Sequence, residues 1–221
     1  MINVAVDGPA GAGKSTVSKR AAAYFGYIYV DTGALYRAVG LNALRLGINT
    51  RDAERVAETL KDVKVSLGFK NGEQRVFLFD EDVSDEIRTP AASMAASDVS
   101  AVPAVRDFLF SLQKDIAKKN NCIMDGRDIG TVVLPDAKVK IFLTASPEKR
   151  AERRVKELRE KGRDDSYEDV LKDIIERDHN DSHRAVAPLK QADDAVLVDT
   201  SDIDFEGSVN TVINIIKEKT R

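Results

Sequence analysis

Cysteine is nearly absent from this chain: of 221 residues, only Cys122 is one. A single thiol excludes an intrachain disulfide and fits a reducing, cytoplasmic setting. Cys122 lies in the apolar run CIM, where a buried strand residue is expected rather than a nucleophile. No uncharged apolar run approaches the ~18 residues a membrane span needs, so no membrane association is expected. The N-terminus lacks the basic-then-apolar order of a signal peptide, and its first apolar run, INVAV, leads straight into a glycine-rich loop. Excess charge of one sign is also missing. With 34 Lys and Arg against 37 Asp and Glu, the net charge of -3 gives no global pull toward nucleic acid, so any anion site must be built locally. There is no internal repeat and no low-complexity tract; AASMAAS shows only a mild bias toward small residues.

What is present is a chain that is 43% hydrophobic and 32% charged, enough for a proper core and for one domain over 1–221 with excursions. INVAVD reads as a buried strand. Lys14 to Phe25 reads as a helix closed by Gly26. YIYV forms a second strand ending at Asp31, and helical patterning runs from about Ala34 to Leu46, stopped by Gly47. CIM, KVKIFL and AVLV are further short apolar runs, with helices expected at Pro103 to Lys118 and Pro147 to Glu160. Short apolar strands alternating with helices predict an α/β fold of three layers, a parallel sheet covered on both faces. Residues 62–80 break the rhythm: VKVSLGF, KNGE and RVFLF alternate like a β-hairpin turning at Asn71-Gly72, an antiparallel insert beside the main sheet. The polar stretch ELREKGRDDSYED has the composition of a mobile flap, although an ordinary solvated helical connection has the same composition.

The stretch GPAGAGKST (Gly8, Pro9, Ala10, Gly11, Ala12, Gly13, Lys14, Ser15, Thr16) matches G-x-x-x-x-G-K-[ST] between a strand and a helix. Its glycines permit bends that turn successive N–H groups toward phosphate oxygens, and the helix dipole adds to the attraction. Lys14 is placed to reach the β- and γ-phosphates of a nucleoside triphosphate, and the Ser15 hydroxyl to ligate Mg²⁺. No N-K-x-D or T-K-x-D sequence marks a guanine-selective switch, and no L-S-G-G-Q marks a transport ATPase. A phosphotransferase acting on a small acceptor becomes the leading idea.

Ligands of open α/β sheets bind beyond the carboxyl ends of the strands. There, DTGALYR offers Thr32, Gly33 and Arg37, and DGRDIGTVV offers Asp125, Arg127 and Asp128. Arginines near a phosphate loop suit an acceptor that is itself a phosphate. In ERDHNDSHR, Arg177, Asp181 and Arg184 share one face of a helix. His179 and His183 are also four apart, but no cysteine or third histidine completes a zinc site. Asp125 is left with two readings, orienting a magnesium-bound water or pairing with Arg127.

GPAGAGKST, DTGALYR, GRDIGTVVLPDA and HRAVAPL, in this order along essentially the whole chain, resemble bacterial cytidylate kinases. The resemblance implies transfer of a phosphoryl group from ATP, with Mg²⁺, to CMP or dCMP. It implies a P-loop fold with an antiparallel insert over 62–88 in the monophosphate-binding region and a lid over 150–165 carrying positive charge between Arg153 and Arg163. It places Thr32, Arg37 and Arg127 on the acceptor nucleotide, Ser97, Arg106 and Asp128 on the cytosine, and Arg177, Asp181 and Arg184 near the sugar and phosphate. Lys14, Arg127 and Arg184 form the implied catalytic set. Thr32 stands where several members carry serine, and the family pattern gives His179 and His183 no role. A monomer in the cytoplasm is expected, without nucleic acid or membrane partners. Two other readings stay open: a kinase of another small acceptor such as UMP or a sugar, and a nucleotide-gated binding module.

Overall fold

The computed structural model describes residues 1–70, 73–160 and 162–221. The turn expected at Asn71-Gly72 lies outside the described residues. In chain order the elements are β1 (Asn3–Asp7), α1 (Lys14–Phe25), β2 (Ile28–Asp31), α2 (Thr32–Arg45), α3 (Ala53–Thr59), β3 (Val65–Lys70), β4 (Glu73–Leu78), β5 (Glu81–Asp82), α4 (Pro90–Ser100), α5 (Pro103–Lys119), β6 (Cys122–Gly126), β7 (Val139–Thr144), α6 (Pro147–Glu160), α7 (Tyr167–His183), β8 (Val196–Asp199) and α8 (Phe205–Thr220). A five-residue π-helical turn, Ile129–Val133, follows β6. No described helix is long and apolar enough to cross a membrane.

The chain divides into two compact units, one of residues 28–121 with Met1 and one of residues 2–27 with 122–221. In the second unit β6, β1, β7 and β8 are adjacent parallel strands in that order. β1 is central, and Val4, Ala5 and Val6 are fully buried, which is why the strand is apolar without a break from Val4 to Val6. α1 and α8 pack against each other in this unit. α6 and α7 form a helical pair whose own small core joins Ala151, Val155 and Leu158 to Val170 and Ile174. The stretch with flap-like composition holds the end of α6 and the start of α7, and between them residues 162–166 are not helical, with Gly162 in a left-handed turn (φ 75°) and Ser166 capping α7 through the Asp169 N–H.

The unit of residues 28–121 holds the expected antiparallel insert. β3 and β4 pair from Val65↔Leu78 to Lys70↔Glu73, and β5 adds a short third strand. Its core gathers Leu35, Val39, Val56, Val65, Leu78 and Leu109, among others. AASMAAS is part of a helix, α4, whose Ala92, Ala95 and Ala96 are buried. The small residues serve packing. A Cβ on Gly40 of α2 would stand 2.8 Å from the Ala95 Cβ, so these two helices meet at van der Waals distance only because one residue has no side chain. α2 begins at Thr32, two residues before the apolar pattern, because the Asp31 carboxylate caps it by accepting the Ala34 N–H at 3.0 Å.

Candidate functional site

The glycine loop leaves the buried carboxyl end of β1 and enters α1. Gly8, Gly11 and Gly13 have φ of 148°, 75° and 90°, conformations that side chains resist. A Cβ on Gly8 would fall 1.9 Å from the Leu143 carbonyl oxygen of β7, so the first turn of the loop lies hard against the sheet. Gly13 precedes α1 without any side-chain cap, leaving the first N–H groups of the helix for an anion. Lys14 is buried and its Nζ donates to the Pro9 carbonyl at 2.8 Å, folding the side chain back over its own loop. Burial and then the neighbouring Arg127 bring its ammonium down from 10.5 to about 7, although Asp125, Asp7 and Asp181 pull the other way. Ser15 Oγ donates to Asp125 Oδ2 at 2.8 Å.

That last bond brings the Asp125 carboxylate to the loop serine, across 110 residues of sequence. A hydroxyl and a carboxylate oxygen held together suit a hard cation that keeps most of its own water and shares phosphate oxygens. Among the described residues no group of three or more His, Cys, Asp or Glu could hold a metal. His179 and His183 stack ring on ring at 4.1 Å, with His183 Nδ1 2.9 Å from the His179 carbonyl. Cys122 is fully buried, and burial pushes its thiol up to about 12, which removes it as a nucleophile.

The charges of DGRD find their partners on and just beyond α7. Arg127 Nε donates to Asp181 Oδ2 at 2.7 Å, and Arg127 Nη1 to the Gly126 carbonyl at 3.2 Å. Arg184, the residue that ends α7, donates from Nη2 to Asp128 Oδ1 at 3.4 Å and from Nε to the Ala187 carbonyl at 2.7 Å. Burial alone would raise the Asp181 carboxyl, but Arg127, Arg177 and Arg184 outweigh it and hold it below the usual carboxylate range. The expected residues of this unit thus converge: Lys14 with Ser15 and Asp125, and two crossed arginine–aspartate pairs beside them.

Thr32, Arg37, Ser97 and Arg106 belong to the other unit. Thr32 opens α2 and is buried; Arg37, on the next turn, donates to Asp31 Oδ2 at 2.8 Å. Arg106 of α5 is buried with its guanidinium 5.7 Å from the centre of the Tyr36 ring. Ser97 is half-buried on α4, and its carbonyl accepts from Ser100. Gln74, from the antiparallel sheet, brackets Asp31 by accepting its N–H at 2.8 Å and donating to its carbonyl at 3.3 Å.

Two charged residues at this site escape sequence reasoning. Asp7, the last residue of β1, accepts the N–H groups of Ile129 and Gly130. Arg150, in the first turn of α6, donates to the Ala145 and Ala10 carbonyls and forms a bidentate pair with Asp178 of α7. The start of the expected lid is thereby tied to the glycine loop. Its arginines are also engaged: Arg153 with Thr200, Arg154 with Glu157 and Arg163 with Asp165. Beyond the ends of β7 and β8 opens a cavity of about 390 Å³ lined by Pro9, Thr144, Arg150, Asp178, Lys190 and Gln191, among others.

A parallel sheet whose first strand delivers a glycine loop and a buried lysine to a helix N-terminus, flanked by arginines, is the architecture of the P-loop phosphotransferases. Comparison with known proteins narrows this class. The family model described as "Cytidylate kinase" matches residues 4–218. A cytidylate kinase of Caldanaerobacter subterraneus is 50% identical over 220 residues, covering 100% of this chain and 96% of its own. Those of Caldicellulosiruptor saccharolyticus (49% identical, 97% of this chain and 95% of its own) and Ligilactobacillus salivarius (50%, 99% and 97%) agree. The chain belongs to the cytidylate kinase family. A solved protein from Eubacterium ventriosum, described as uncharacterized, shares the fold at a TM-score of 0.51 and 12% identity, covering 99% of this chain and 97% of its own.

Proposed function

We propose that the chain transfers the γ-phosphoryl group of ATP to CMP or dCMP, giving ADP and CDP or dCDP. The observation that carries this reading is the meeting, in one unit, of the loop lysine with the Arg127–Asp181 and Arg184–Asp128 pairs. The loop N–H groups and Lys14 receive the β- and γ-phosphates. Ser15 and Asp125 would hold Mg²⁺, which when bound supplies positive charge to the phosphate oxygens. An oxygen of the acceptor phosphate attacks the γ-phosphorus in line, and Lys14, Arg127 and Arg184 offset the charge spread over the transferring group. No side chain need act as general base, because a phosphate monoester is already largely ionised near neutral pH.

Asp128 reads the base by accepting from the 4-amino group of cytosine. Uracil carries a carbonyl there, and facing a buried carboxylate with another acceptor costs ~1–3 kcal/mol, about a ten- to hundredfold preference. The same reading assigns Thr32, Arg37, Ser97 and Arg106 to the acceptor nucleotide, Arg177 to its phosphate and Asp181 to its sugar hydroxyls. It gives residues 150–165 the part of a lid that excludes water. The enzyme acts as a cytoplasmic monomer.

The test is ADP formation from Mg-ATP with CMP, dCMP, UMP, AMP and GMP offered singly, with an Asp128→Asn variant alongside. Turnover confined to the cytidine nucleotides and reduced in the variant is expected. Strong turnover with UMP instead would reassign the acceptor, and no turnover with any acceptor would leave a nucleotide-gated binding module.

A further inference from the structure

Asp7 is a carboxylate at the inner end of a central strand, 4% exposed, between Gly126 of β6 and Phe142 of β7 in the sheet register. Such a group persists only if its oxygens are used. Both are: Oδ1 accepts the Ile129 N–H at 2.8 Å and Oδ2 accepts the Gly130 N–H at 2.7 Å. These hydrogens open the π-helical turn that follows Arg127 and Asp128, where the Val133 N–H reaches back to the Asp128 carbonyl and the first donors have no acceptor inside the turn. Asp7 caps that turn from another strand. Gly130 fits closely in this clamp: a Cβ there would stand 3.3 Å from Asp7 Oδ2 and 3.2 Å from the Lys140 side chain, so that both would have to give by a few tenths of an ångström.

We propose that Asp7 is a positioning residue for the acceptor: by holding the Ile129 and Gly130 N–H groups it fixes the direction in which Arg127 and Asp128 leave β6. The inference rests on the acceptor roles given above to those two residues. Asp7 acts through the backbone: each of its oxygens holds one of the two N–H groups. The next residue in the chain, Gly8, begins the glycine loop, so one strand end sets both the phosphate loop and the acceptor-reading turn. An amide cannot replace the carboxylate, since one of its two polar ends donates and would face an N–H. The turn can then rotate, and displacement of a substrate-holding side chain by about 1 Å can cost on the order of a hundredfold in rate.

The experiment compares the wild-type chain with Asp7→Asn and Gly130→Ala, the second variant disturbing the same clamp from its other side. KM for CMP, KM for ATP and kcat are measured, with thermal unfolding as the control for folding. The expected result in both variants is a KM for CMP raised about tenfold or more while KM for ATP changes less than about threefold. Equal changes in both KM values, or a fall in kcat alone in proportion to the folded fraction, would reduce Asp7 to a structural residue and overturn the proposal. If Asp7→Asn does not fold, Gly130→Ala decides by the same split. A wild-type chain that does not turn over CMP refutes the proposed function instead, which keeps the two failures apart.

Discussion

Replacing Lys14 by methionine should abolish turnover and make the nucleotide-free protein more stable. Lys14 is 6% exposed, and the fall of its ammonium from 10.5 to about 7, through burial first and the neighbouring Arg127 second, corresponds to a cost on the order of 5 kcal/mol for keeping the charge there. Methionine removes that cost but leaves the Pro9 carbonyl without its 2.8 Å donor, a loss of ~1–3 kcal/mol. The net gain is about 2–4 kcal/mol. The pH dependence gives the sign. Below about 7 the lysine is charged in both the folded and unfolded chain, so the cost is present in full; between about 7 and 10.5 only the unfolded chain keeps the proton, and the cost is relieved as pH rises.

Urea unfolding followed by far-ultraviolet circular dichroism, without nucleotide or divalent cation, should therefore find the variant ahead by the largest margin at about pH 6 and by a smaller one at about pH 9. In the same preparation ADP formation should fall by about 10³-fold or more, the equivalent of ~4 kcal/mol of lost charge stabilisation. A variant less stable than wild type at the lower pH would refute the account, and so would a margin that does not change with pH. Retained turnover would refute the role of Lys14 in catalysis.

Other perturbations test the frame around the site. Gly8→Ala would drive a Cβ to 1.9 Å from the Leu143 backbone oxygen at a φ of 148°; about 3 kcal/mol or more of stability and most ATP affinity should be lost, measured by urea unfolding and calorimetric titration. Gly40→Val should cost ~1–3 kcal/mol by forcing α2 away from Ala95, and an unchanged unfolding midpoint would show that these helices can part freely. The Cys122 thiol, buried and pushed up to about 12, should resist an aromatic disulfide reagent in the native protein and react at once in denaturant.

The parts of this molecule that were legible in the sequence are those whose signal is local. Lys14 to Phe25 and Pro147 to Glu160 were readable residue for residue because a glycine closes the first and a proline opens the second. The glycine loop announced itself because a phosphate needs backbone N–H groups at fixed spacing. DTG looked like loop text because the cap of α2 is a polar side chain, and the apolar pattern starts only beyond it. CIM fell two residues short of β6 because Asp125 and Gly126 continue the strand despite their polarity, and Asp125 is buried there with Ser15 as its partner. α4 was hidden for the opposite reason. Its alanines carry no amphipathic contrast, and their purpose is set by Gly40, some fifty residues earlier in the chain.

The same distinction explains the charged residues. Arg127 and Asp128 could be suspected from their place at a strand end, yet their partners, Asp181 and Arg184, lie more than fifty residues on. Asp7 and Arg150 could not be suspected at all. Each meets backbone groups more than a hundred residues away, and a carbonyl or an N–H leaves no trace in a sequence, since nearly every residue has one. Residues that grip the backbone of a site are invisible for that reason, while those that grip its substrate stand out by type. The charged side chains that gather at the glycine loop of this kinase can be read from its letters; the clamps that hold them in register need the fold.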